Sequence, residues 1–125
     1  MEQSAVSVEP LEGYNALRMV WGERPGARDV RAAFAVIMKY LDGAESPVDI
    51  IVDIRTDPSF PLGATLTGAI APHTHKNMGC WLVVGGNAVA RFIAGTLMAI
   101  GRNPIEWFDT EEAAIESMLR ARAFA

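Results

Sequence analysis

The sequence predicts one α/β domain, with a mixed and mostly parallel β-sheet flanked by about four helices in the order ββαβαβαβα. Three observations carry that reading. Residues 48–54 (VDIIVDI) are an almost unbroken run of β-branched side chains, Val48, Ile50, Ile51, Val52 and Ile54, which suits a strand covered on both faces. Segments with strand periodicity alternate with segments whose apolar residues recur at i, i+3 and i+4. Gly, Pro, Ser or Asn punctuates nearly every boundary between them. The 125 residues make a single domain, 1–125, long enough to bury a core, and no linker, low-complexity tract or internal repeat interrupts them.

Taken in order, residues 4–9 place Val6 and Val8 on one side and predict an edge strand. Pro10 and Gly13 bracket a turn. From Tyr14 to Trp21 the alternation resumes, with Leu17, Met19 and Trp21 on one face and Ala16, Arg18 and Val20 on the other, so the two segments predict an antiparallel hairpin. After the GERPG loop at residues 22–26, Val30, Ala33, Phe34, Ile37, Met38 and Leu41 give residues 27–41 one apolar helical stripe, while Arg28, Arg31 and Lys39 face away. Gly43, Ser46 and Pro47 end that helix. The strand at 48–54 follows, parallel to its predecessor under the right-handed crossover rule.

A second helix starts near Gly63 with Thr65, Leu66, Ala69 and Ile70 inward. Pro72 has to end or kink it, because proline lacks the N–H a helix needs and its ring clashes with the preceding turn. Residues 79–84 predict a further strand, closed by Gly85 and Gly86. Asn87 is placed to cap a third helix that reaches Ile100. Residues 105–108 are a short last strand. A final helix spans 110–123, with Asp109 and Glu112 at capping-box spacing.

Composition narrows the function classes. At 50% hydrophobic and 21% charged residues the chain is globular rather than disordered. A net charge of −4 gives no general attraction for nucleic acid. The one cysteine, Cys80, excludes an internal disulfide, and the opening MEQSAVSVEP has an early acid and no apolar stretch of the kind a secretory leader needs; a reducing cytoplasm is the expected setting. The longest apolar region, from Cys80 to Ile100, is broken by Gly85, Gly86, Asn87 and Arg91, so no membrane span is expected.

The element order, the apolar strand ending VDIR, the Pro/Gly loop that opens a helix, the strand–GGN–helix string from Leu82 to Val89, and the closing Phe108-Asp109-Thr110-Glu111-Glu112-Ala113-Ala114 together resemble the STAS superfamily, and more closely its SpoIIAA-like branch. The resemblance covers nearly the whole chain through short motifs. It implies a mixed β-sheet flanked by helices, regulatory protein binding of the anti-sigma-factor-antagonist kind, and small-ligand binding in other members. In phospho-switch members an Asp-Ser element begins the helix after the central strand, where added phosphate meets the helix dipole and alters a partner surface. Here that segment runs from Asp57 to Thr65, and the Asp-Ser-Ser-Gly string is missing. Ser59 reads as an ordinary loop serine.

The candidate binding surface is therefore the edge beyond the central strand: Asp57, Ser59, Gly63 and Thr65, with Asn87 from the next crossover. Asp53 and Asp57 lack partners for acid–base or metal chemistry, since no Asp or Glu occurs between Pro58 and Asn103, and Asp53 reads as a loop brace. His73 and His75 form an H-x-H that reads as a surface turn rather than a metal site. Gly85 and Gly86 fit a tight turn and lack the spacing of a nucleotide-binding loop. Cys80, inside an apolar strand, reads as core rather than nucleophile.

The third helix raises self-association. Val89, Phe92, Ile93, Leu97 and Ile100 read as its inward stripe, and the opposite side carries Ala90, Ala94, Gly95 and Met98 with Arg91 as its only charge. A helix apolar all round is buried on both sides. A homodimer through Ala90, Arg91, Ala94 and Met98 is one expectation; small residues tolerated on a surface, or covered by a loop, are the other.

No Ser-His-Asp or Cys-His arrangement assembles from local motifs, which lowers the expectation of catalysis. The leading reading is a non-enzymatic cytoplasmic regulatory or protein-interaction domain, with no cofactor and no metal, bound to a protein partner. The alternative is a small apolar-ligand domain, motivated by the abundance of Met, Trp and Phe, whose mark would be a closed apolar pocket of roughly 300 Å³ or more.

Overall fold

Strand order follows chain order. A computed structural model describes residues 5–123, with β1 (Val6–Pro10), β2 (Ala16–Trp21), α1 (Ala27–Asp42), β3 (Val48–Asp53), α2 (Leu62–His73), β4 (Met78–Val84), α3 (Ala88–Ile100), β5 (Ile105–Phe108) and α4 (Glu111–Ala123). The five strands lie side by side as β1-β2-β3-β4-β5. β1 is antiparallel to β2, as the hairpin pattern predicted, and the remaining pairs are parallel. β3 is the middle strand, and its neighbours Ile50 and Ile51 point to opposite faces with 0% exposure each, which explains why the run carries no polar alternation. Because the order never reverses, the sheet has no switch point and lacks the crevice that a reversal opens in doubly wound sheets.

The helices divide unequally. α1, α2 and α3 pack on one face, over Leu17, Met19, Trp21, Ile50, Trp81 and Val83. Among the described residues one helix, α4, covers the other face, through Ala114 and Met118 against Ala16, Ile51, Leu82 and Val84, with Leu11 in the same cluster. Successive crossovers of one hand in an unreversed sheet place their helices on the same side.

Local chemistry sets the element ends. Asp29 accepts from the Gly26 N–H at 2.9 Å at the start of α1. Asn87 Oδ1 accepts from the Ala90 N–H at 2.8 Å and caps α3, as predicted. α4 is capped by Thr110, whose Oγ1 accepts from the Ala113 N–H at 3.1 Å, and not by the expected Asp109 and Glu112 pair. Pro72 lies inside the last turn of α2, which ends one residue later at His73.

α3 is rotated from the arc read in the sequence. Its buried residues are Ala90, Ile93, Ala94 and Leu97, whereas Val89, Phe92, Met98 and Ile100 are exposed, Phe92 at 58%. The helix is apolar all round, so periodicity alone does not mark which arc faces the sheet. The underlying sheet carries Trp81 and Trp107, and bulky rings beneath a helix leave room for small side chains above them. Ala90 and Ala94 are thus withdrawn from the surface expected for a dimer. Arg91 lies over the Trp107 ring, 4.3 Å from its centroid, and Met98 is exposed.

Candidate functional site

Between the sheet and α1–α3 lies an apolar cavity of about 70 Å³. The sheet contributes Trp21, Trp81, Val83, Ile105 and Trp107 to its wall, α3 contributes Ala90, Ile93, Ala94 and Leu97, α2 contributes Thr65 and Ala69, and the loop after β3 contributes Phe60. Among the described residues no ionisable side chain lines it. Phe60, Ile105 and Trp107 are only partly buried and mark its approach to solvent, while Trp21, Ala90, Ala94 and Leu97 are buried. Trp21 and Phe60 meet edge to face with ring centroids 4.9 Å apart. The volume is well under the roughly 300 Å³ of a drug-sized ligand pocket. It is about half the ~150 Å³ of an engineered apolar cavity that admits benzene.

Of the polar side chains in the cavity wall, Thr65 and Trp81 are engaged. Thr65 Oγ1 donates to the Pro61 carbonyl at 2.9 Å. Trp81 Nε1 donates to His73 Nδ1 at 3.0 Å, so His73 carries its proton on Nε2. Among the described residues, the Trp21 indole N–H and His73 Nε2 are buried without a partner. His73 has 0% exposure and closes the end of α2, where the sequence pattern suggested a surface turn. His75 is separate from it: Nδ1 accepts from the Asn77 N–H at 2.9 Å and Nε2 meets Asp42 Oδ1 at 2.8 Å. The two histidines tie down different loops, and among the described residues no three His, Cys, Asp or Glu side chains gather as a metal would need.

The strand-end loops bring some predicted surface residues together and separate others. Asn87 Nδ2 donates to Asp57 Oδ1 at 2.8 Å, linking the loop after β3 to the start of α3. Asp57 adopts φ 57°, a left-handed conformation that Asp tolerates better than most residues. Ser59 is exposed and its N–H donates to the Glu23 carbonyl at 2.8 Å. Gly63 is exposed in the first turn of α2, with open space where a Cβ would stand. Thr65 does not belong to this surface: it is 3% exposed and forms part of the cavity wall. Its position on α2 follows the inward stripe, which also carries Ala69, whereas Ile70 is exposed.

Asp53 braces the loop it begins, accepting from the Arg55 N–H at 3.0 Å and from the guanidinium at 3.0 and 2.7 Å. The Arg55 hydrogen bonds hold its carboxyl below the ordinary value of 3.8. Gly85, at φ 101°, makes the turn after β4 and donates its N–H to the Phe108 carbonyl, so its amide is not free for an anion. Cys80 lies on the α4 face, where burial first, then Glu106 and Asp49, push its thiol up to about 12.

Three further interactions went unread in the sequence because their partners are distant in the chain. Arg18 holds Glu111 through two guanidinium nitrogens, at 2.8 Å from Nε. Asp49 joins β3 to β4 and to α4: Oδ1 accepts from the Cys80 N–H at 2.8 Å, and Oδ2 accepts from Arg122 at 2.9 and 3.1 Å. Arg91 stands over Trp107, a residue of the cavity wall. Comparison with protein families, with characterised proteins and with solved structures finds no match for the chain.

Proposed function

We propose that this chain is a cytoplasmic regulatory domain of the STAS-like type that works by docking a partner protein rather than by catalysis. The observation that carries the reading is the outer surface of α2 and α3, where Leu62, Ile70, Val89, Phe92, Met98 and Ile100 are all exposed. Apolar exposure concentrated on neighbouring helices marks an interaction surface more often than scattered residues do. The stretch between Pro58 and Asn103, which supplies both helices, has no Asp or Glu and carries Lys76, Arg91 and Arg102, although the whole chain is at −4. An acidic amphipathic segment of a partner complements such a surface in both respects. The α/β sheet with flanking helices agrees with the architecture that the STAS resemblance implies.

A photo-crosslinking residue at position 92, with the same residue at exposed Leu119 on α4 as control, tests the reading in native lysate. Position 92 should capture a defined protein, and Phe92→Asp should weaken that capture more than about tenfold while changing stability by less than about 1 kcal/mol. Equal labelling from both positions would refute it. Among the described residues no helix is long and apolar enough to cross a membrane.

The cavity favours a second reading, a small apolar-ligand domain. Its volume of about 70 Å³ restricts such a ligand to a short group rather than a long lipid chain.

A further inference from the structure

We propose that the cavity and Arg91 together form a site for a short-chain aliphatic monocarboxylate, an inference that rests on the apolar-ligand reading. The wall has no ionisable side chain, so the part of a ligand that enters must be uncharged and apolar; a buried charge without a partner there would carry a heavy desolvation penalty. The volume of about 70 Å³ suits a few carbons. A charged head has to stop at the mouth, and a cation stands there. Trp107 is a partly buried wall residue, and the Arg91 guanidinium sits over its ring at 4.3 Å.

Arg91 differs from the arginines that stabilise the fold. Arg18, Arg55 and Arg122 each hold a carboxylate, in Glu111, Asp53 and Asp49. Among the described residues Arg91 is exposed, its side chain makes no hydrogen bond or ion pair, and only the indole face positions it. A guanidinium held in this way keeps its fork of N–H donors for a planar carboxylate. The span that builds α2, β4 and α3 contains no Asp or Glu to compete for it. Arg91 also lies in the first turns of α3, where the helix dipole favours a negative charge. The head group then pairs outside while the chain passes Trp107 toward Ala90 and Ala94.

All three tryptophans line the cavity, so intrinsic fluorescence reports its occupancy. Butanoate and uncharged 1-butanol are the probes, titrated into wild type, Arg91→Gln and Ala94→Leu. Butanoate should give a saturable change that Arg91→Gln weakens about tenfold or more, with the butanol response unaltered. Ala94→Leu fills the cavity and should remove both responses in a protein whose circular dichroism confirms folding. Ala90→Val, a smaller intrusion from the same helix, replaces it if the leucine variant does not fold. Equal affinity for butanoate and butanol, with no effect of Arg91→Gln, overturns the carboxylate site and leaves the apolar-ligand reading standing. No saturable response to either probe up to about 10 mM overturns both.

Discussion

Replacing Asp49 should destabilise the fold more than replacing the arginine it pairs with. The register between β3 and β4 slips between Val48, opposite Met78, and Ile50, opposite Trp81, so β4 has one residue too many there. The extra length leaves the Cys80 N–H without a backbone acceptor, and Asp49 Oδ1 takes it at 2.8 Å. Gly79 makes the approach feasible: a Cβ there would lie 2.3 Å from Asp49 Oδ1. Asp49→Ala therefore strands a donor between two strands, which costs about 1–3 kcal/mol. It also removes the Arg122 pair, whose side chains are 34% and 15% exposed; screening reduces that contribution to about 1 kcal/mol or less. The expected loss is about 1–4 kcal/mol, or a fall in Tm of roughly 3–15 °C for a chain of this size. Arg122→Ala loses that pair together with an exposed hydrogen bond to the Asn15 carbonyl at 2.7 Å but strands no donor between the strands, and Asp49→Asn, which keeps an acceptor for Cys80, falls between. Urea unfolding followed by circular dichroism, run as a double-mutant cycle, measures each step. If Asp49→Ala and Arg122→Ala agree within about 0.5 kcal/mol, the carboxylate does not complete the strand pairing and the argument fails.

Acid should weaken the fold through two carboxylates. The Arg18 hydrogen bond holds Glu111 below the ordinary 4.5, and the Arg55 hydrogen bond holds Asp53 below 3.8. A value depressed in the folded state gives stability that is present above the unfolded value and is lost as pH falls through the folded one. Urea midpoints should therefore drop as pH falls below about 4.5, and Arg18→Met should make the drop shallower; an identical pH profile in the variant would refute the Glu111 share. Cys80 should be nearly inert. Burial pushes its thiol up to about 12 from an ordinary 9.0, so little of it is thiolate at neutral pH. At pH 8 a disulfide reagent should label it far more slowly in native protein than in urea, and comparable rates would show the side chain to be accessible.

The parts of the fold that periodicity and capping govern were legible. Val48, Ile50, Ile51 and Val52 marked the central strand because both faces of β3 are covered, and Asn87 marked a helix start because its side chain accepts from a nearby N–H. Asp109 misled because two hydroxyl- or carboxyl-bearing residues stand side by side, and Thr110 makes the bond instead. Contacts between distant residues were not legible. Arg18 and Glu111 are separated by 93 positions, and nothing in the neighbourhood of either selects the other. How the candidate surface residues lie was not legible for the same reason: Asp57 and Asn87 meet across 30 positions, whereas Thr65 turns inward once α2 docks on α1 and the sheet.

α3 shows how packing and function meet in one misread element. A helix selected only for core packing would turn its large apolar residues toward the sheet and its small ones toward solvent. α3 does so with Ile93 and Leu97, but it sets Ala90 and Ala94 among them and exposes Phe92 and Met98. Exchanging those sizes would close the cavity and shrink the exposed patch together, and both changes would stabilise an isolated chain: lining a void forfeits dispersion contacts, and apolar surface left in water forfeits burial. The arrangement therefore carries two small stability deficits at one helix. An apolar partner on the outer face and a short-chain ligand beneath it would each remove one of them.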